Sequence, residues 1–114
     1  MSVAHTFLFA VGNSMTTWGK LSQLPGVARD IDKVFDALVD GGPGFGLADR
    51  LRSVKLLDKG AREVRERWEE FIEAVEIDAL VVFYFAGHGA LVGEHDLRLL
   101  LADSERSRKE ESTL

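Results

Sequence analysis

His88 stands between Gly87 and Gly89, directly after the uncharged run Ala79 to Ala86. Imidazole is the side chain best suited to exchange a proton near neutral pH, so at the end of a buried strand it can act as a general base. The glycines add a second capacity. A backbone without Cβ lets a substrate approach closely and leaves the Gly89 amide as a donor for a developing oxyanion. The pair suits a base and half an oxyanion hole, and the same spacing equally suits a loop histidine in a glycine-rich turn. His5 precedes the first apolar run and His95 lies between Glu94 and Asp96. Neither shares a ligand spacing with His88, and the acidic residues form no calcium-loop pattern, so no metal site is expected.

Two glycine clusters invite a phosphate-loop reading and do not sustain it. Gly42-Pro43-Gly44-Phe45-Gly46 follows a helical pattern, whereas nucleotide loops follow a strand and open a helix. Gly87 to Gly93 does follow a strand, but it lacks the Lys-Ser/Thr pair of a triphosphate loop, and no helix pattern follows it. No cofactor is expected. Among the aromatics, Trp18 falls in a loop that would line a cleft, while Trp68 and the phenylalanines read as core. The sequence contains no cysteine, which removes disulfides, thiolate metal sites and a thiol nucleophile from this polypeptide.

The elements that must position His88 follow from hydrophobic period. With 114 residues, 46% hydrophobic and 29% charged, the chain suits one globular unit. A net charge of -5 argues against phosphate backbones and anionic membranes as partners. The longest apolar run is far short of a bilayer span and no basic leader precedes an apolar segment, so a soluble, cytoplasmic protein is expected.

Thr6 to Val11 reads as a strand buried on both faces. From Pro25-Gly26, Val27, Ile31, Val34, Phe35 and Leu38 recur at helical spacing until the glycines from Gly41 to Gly46 stop the helix. Leu51 to Leu57 is a second strand, nearer the sheet edge because its pattern is mixed. Asp58 can cap a second helix with the apolar stripe Val64, Trp68, Phe71, Ile72 and Val75, supported by pairs such as Glu63 with Arg67. Ala79 to Ala86 is rich in β-branched and aromatic residues and is expected at the centre of the sheet, and Leu97 to Ala102 adds a further strand. The fold class is therefore α/β, a mostly parallel β-α-β-α-β sheet with helices on its faces. Sites in such folds lie beyond the carboxyl ends of the strands, here the loops Gly12 to Leu24 and Gly87 to Gly93.

Tyr84-Phe85-Ala86-Gly87-His88-Gly89 resembles the histidine motif of the caspase and metacaspase superfamily of cysteine endopeptidases. Ala10-Val11-Gly12-Asn13-Ser14 resembles the end of that family's first strand, and Leu24-Pro25-Gly26-Val27-Ala28-Arg29-Asp30-Ile31 the start of its first helix. The resemblance implies a caspase-like fold over residues 1–102, with His88 as general base and the Gly89 amide in the oxyanion hole. In caspases the nucleophilic cysteine follows the histidine by about 50 residues. Only the segment from Gly89 to Leu114 remains here, so the expectation is a domain cut before the Cys-bearing strand and inactive by itself. The cysteine would come from the remainder of the domain or from a second chain.

In family members that cut after aspartate, an arginine two residues before the glycine of the first-helix motif contacts the acidic side chain; Leu24 stands there. A leucine cannot pair with a carboxylate, so the resemblance implies a polypeptide substrate cut after Arg or Lys. Residues 103–114 are dense in charge and read as a solvated, mobile tail, in which Arg106, Arg108 or Lys109 would suit a basic-specific processing cut. Missing strands would leave an apolar edge and favour self-association. Two other classes fit the same pattern: a caspase-like interaction module with an idle site, and a flavodoxin-like ligand-binding domain using the loop from Gly12 to Leu24.

Overall fold

The computed structural model describes residues 6–19, 21–40, 52–92, 95–109 and 111–114. Its organising element is β1 (Thr6–Gly12), in which every residue after Thr6 is buried. Because successive side chains of a strand point to opposite faces, this one strand feeds two cores. Phe7, Phe9 and Val11 pack with Leu56, Ala61, Val64, Phe71 and Leu101 on one side. Leu8 and Ala10 pack with Ile31 and Val39 on the other.

α1 (Val27–Phe35) covers the Leu8 face and runs on as a wider π-helical segment, Asp36–Asp40. Val27 and Ile31 are its buried residues, and at its end the Asp36 amide donates to the carbonyls of both Asp32 and Lys33. The glycines from Gly41 to Gly46 that were expected to stop this helix lie outside the described residues. β2 (Val54–Leu57) pairs in parallel with β1, Phe9 opposite Val54. It is shorter than the expected Leu51 to Leu57, and Leu51 itself is not among the described residues. Its mixed pattern has a simple origin: Lys55 is exposed and meets Asp32 of α1 at 2.7 Å.

α2 (Ala61–Ala74) covers the Phe9 face. Phe9 is the hub of an aromatic cluster there, edge-on to Trp68 at 5.1 Å and to Phe71 at 5.3 Å, and stacked on Phe83 at 6.0 Å. Such pairs add about 0.5–1.5 kcal/mol each beyond their area burial. Val64 and Phe71 are buried as the stripe requires, whereas Ile72, assigned to the same stripe, is exposed. Glu63 lies 4.0 Å from Lys59, and Arg62 pairs with Glu66 at 3.1 Å. The expected cap is also corrected. The start of α2 is held by Asp103, 42 residues away, whose Oδ1 accepts from the Ala61 amide at 3.0 Å, because the Asp58 carboxylate is engaged elsewhere.

β3 (Leu80–Ala86) pairs in parallel with β1, Phe9 opposite Phe83, giving the order β2-β1-β3. The described residues thus form a three-stranded parallel α/β sheet with one helix on each face. The chain crosses from β1 to β2 over α1, then returns past β1 to β3 over α2, so its direction of travel reverses at β1. β3, expected at the centre, is an edge among the described residues, with Leu80 and Phe83 exposed. Charge-free composition does not report whether both edges of a strand are paired, and here no residue of β3 is fully buried.

Two further strands, β4 (Gly89–Val92) and β5 (Asp96–Leu99), form an antiparallel hairpin. The first was expected as loop. The second ends earlier than the expected Leu97 to Ala102: the buried Leu100 still donates to the His88 carbonyl and bridges Thr113, while Leu101 is buried outside any strand. Residues 103–114 are not simply solvated. Ser104, Ser112 and Thr113 are buried, Arg65 donates to the carbonyls of Glu111 and Thr113 at 2.9 and 2.5 Å, and Leu114 exchanges both backbone hydrogen bonds with Leu99. A short 3-10 turn, Arg106–Arg108, lies between. No helix among the described residues is long and apolar enough to cross a membrane.

The face of β1 toward α1 tapers from Leu8 through Ala10 to Gly12. A Cβ at Gly12 would lie 3.0 Å from Val27 Cγ1 and 3.1 Å from Ile31 Cδ1, so glycine is what lets the first turn of α1 sit this close to the strand end.

Replacing Phe9 by alanine is expected to cost about 3–5 kcal/mol, a large share of the 5–15 kcal/mol typical of a domain. Phe83→Ala is expected to cost clearly less, since that ring is already 44% exposed. Urea denaturation midpoints test the ranking, and the reverse order would show that Phe9 is not the hub. Asp103→Ala should lower stability by about 1 kcal/mol through loss of the helix cap.

Candidate active site

The carboxyl ends of β1 and β3 meet where the direction of travel reverses, the place at which open α/β sheets form a crevice. The ladder runs one residue beyond the strands, with the Asn13 amide donating to the Ala86 carbonyl at 2.8 Å. Gly87 follows at once and has no room for a side chain. A Cβ there would lie 2.8 Å from Phe85 Cζ and 3.0 Å from the Asn13 carbonyl oxygen. The chain can therefore turn sharply out of β3 and present His88 over the sheet edge.

His88 is half-buried, and its Nε2 lies 2.8 Å from the carbonyl oxygen of Ser22. A carbonyl only accepts, so Nε2 carries the proton in this contact. In the neutral ring, Nδ1 is then the basic nitrogen. The arrangement is a histidine oriented by a backbone acceptor from the loop after β1.

Gly89 opens β4, where it is exposed and stands opposite Leu99. The His88 carbonyl accepts from the Leu100 amide at 3.0 Å, which makes 88 and 100 a hydrogen-bonded pair of the hairpin. Antiparallel pairs alternate, so Gly89 and Leu99 form a non-bonded pair and the Gly89 N–H turns away from β5. Leu99 uses its own outward groups on Leu114. An exposed amide directed out of the ladder, one residue after the histidine, is compatible with holding an oxyanion.

The other sequence-derived candidates are placed less openly. Trp18, expected to line the cleft, is only 8% exposed, so its ring is packing rather than an open platform. Leu24 is half-buried just before α1, its amide donating to the Ser14 carbonyl at 2.7 Å. His95 is exposed at the hairpin end of β5, and His5 lies outside the described residues. Among the described residues no group of three or more His, Asp or Glu side chains could hold a metal ion.

Three contributors leave little trace in sequence. Ser22 acts through its carbonyl, which any residue possesses. Asp58, read as a helix cap, instead accepts from the Ser14 amide at 2.6 Å and from the Ser14 hydroxyl at 2.8 and 2.9 Å. Asn13 is fully buried; its Nδ2 donates to the Met15 carbonyl at 2.6 Å, while its Oδ1 accepts no hydrogen bond from the described residues. A polar residue directly after an apolar strand, as in Asn13-Ser14, was the one available signal for the last two.

No protein-family model, curated protein or solved structure gives a significant match to this chain.

Proposed function

We propose that this chain supplies the base and oxyanion half of a caspase-like cysteine endopeptidase. The observation that carries the reading is the Nε2 contact of His88 with the Ser22 carbonyl, which leaves Nδ1 as the proton acceptor at the carboxyl edge of a parallel sheet. The thiol is supplied by a polypeptide segment outside this sequence, since the sequence contains no cysteine.

In this reading His88 takes the thiol proton and the thiolate sulfur attacks the scissile carbonyl carbon. The carbonyl oxygen becomes an oxyanion held in part by the Gly89 amide. Collapse breaks the C–N bond as the imidazolium returns its proton to the leaving amine. Water, deprotonated by the same ring, then hydrolyses the thioester and restores the thiol. Leu24, in the loop before α1, favours substrates without an acidic side chain before the scissile bond, because an apolar group there offers a carboxylate no partner.

A second reading, an interaction module with an idle site, draws on a different observation. The edge of β3 carries exposed Leu80 and Phe83, which would suit docking of a partner chain.

Protein isolated from its natural source is expected to contain or copurify with a cysteine-bearing segment and to cleave peptides in a thiol-dependent manner. His88→Ala should lower kcat/KM by about 10²–10⁴. Full activity in that variant, or activity indifferent to thiol alkylation, would remove His88 from the chemistry. Peptides with Arg or Lys before the scissile bond should be cut faster than their Asp counterparts, and the opposite preference would overturn the assignment of Leu24.

A further inference from the structure

The carbonyl that orients His88 belongs to a loop, and a loop holds a hydrogen-bond acceptor in place only if it is itself anchored. The anchor is Ser14. Its amide and its hydroxyl both donate to the Asp58 carboxylate, at 2.6 Å and at 2.8 and 2.9 Å, and its carbonyl accepts from the Leu24 amide at 2.7 Å. One residue thus closes the base of the loop and ties it to the end of β2. Asp58 is fixed in turn, its own amide donating to the Gly12 carbonyl at 2.9 Å. Further along, the Thr17 hydroxyl donates to the Ser104 carbonyl at 2.9 Å. Ser22 stands two residues before the closure, facing the imidazole.

Asp58 is also the one non-glycine residue with positive φ among the described residues, at 54°. Glycine would occupy that conformation without steric cost, and asparagine or aspartate tolerates it better than other side chains. A turn that needed only its backbone shape would be served at least as well by glycine. The carboxylate is what glycine lacks, and here it accepts every donor that Ser14 offers.

We propose that Asp58 is a positioning residue for His88. Through Ser14 it holds the Ser22 carbonyl at the distance that keeps the proton on Nε2 and the lone pair on Nδ1. Its catalytic meaning rests on the reading of His88 as the base; the positioning itself is a property of the imidazole and is measured without any substrate.

The test is the solvent-exchange rate of the His88 Nε2 proton in the full chain, followed by NMR with ¹⁵N-labelled histidine at alkaline pH, where an imidazole is neutral. The amides of the β1–β3 ladder report global stability in the same samples. Asp58→Gly is expected to speed exchange of the His88 proton about tenfold relative to the ladder amides, the factor carried by one hydrogen bond of ordinary strength. Asp58→Asn keeps one acceptor oxygen for both the Ser14 amide and the Ser14 hydroxyl, together with the tolerance for positive φ, and is expected to stay close to the parent rate. An unchanged His88 rate in Asp58→Gly overturns the proposal. If that variant does not fold, Ser14→Ala gives the same decision: it removes the hydroxyl from the carboxylate without touching the turn, and a parent-like rate there is equally fatal. Peptidase assays on His88→Ala read the catalytic assignment separately, so either claim can fail while the other stands.

Discussion

Everything in this molecule depends on β1 being buried from both sides. A strand that is apolar on both faces must be covered by a helix on each, and that requirement alone calls for two crossovers of opposite sense around it. Once α1 and α2 take their places, the polar residues that follow the strands have only one exit, the carboxyl edge. The position of His88, Asn13, Ser14 and Asp58 together is therefore a consequence of where the apolar residues are, not of any attraction among the polar ones.

At that edge the logic changes from burial to hydrogen bonding. The loop after β1 contributes little apolar mass apart from Trp18, and backbone order there comes from paired donors and acceptors. The buried Asn13 side-chain oxygen is the exception, the one buried side-chain polar atom among the described residues without a hydrogen-bond partner. Such a group costs about 1–3 kcal/mol. The same residue's backbone carbonyl helps to leave no room for a Cβ at Gly87, the residue before His88.

The sequence made the strands of the sheet and both helices readable because their signals are local: apolar runs, helical spacing and glycine punctuation. Strand order is not local, and the charge-free strand β3 lies at an edge among the described residues. The hairpin at Gly89–Val92 and Asp96–Leu99 is only weakly marked in sequence, because its strands are four residues each and the first begins in the same glycine-rich stretch that reads as a loop. The charged segment after Asp103 misled for a related reason. Glu105, Arg108, Lys109 and Glu111 are exposed, yet the segment contributes main-chain carbonyls to Arg65, a hydroxyl to its own turn and the Asp103 carboxylate to the start of α2. Composition describes side chains and is silent about the backbone. The same silence hid Ser22 from the reading of the site, while His88 and Gly89 could be singled out from residue type alone.

The taper of β1 toward α1 bears on how the sheet finds its pairing. In a strand with one wet face, a slip of one residue exposes apolar groups and buries polar ones, and water itself rejects the error. That safeguard is missing when both faces are dry. Here bulk does the rejecting: a slip would push Phe7 or Phe9 into the slot shaped for Leu8, Ala10 and Gly12, where even one added carbon at the last position meets Val27 and Ile31. Each such overfilled position costs about 1–3 kcal/mol. The alternation of large and small side chains along β1 thus acts as a gauge, admitting one alignment by size where polarity could not tell them apart.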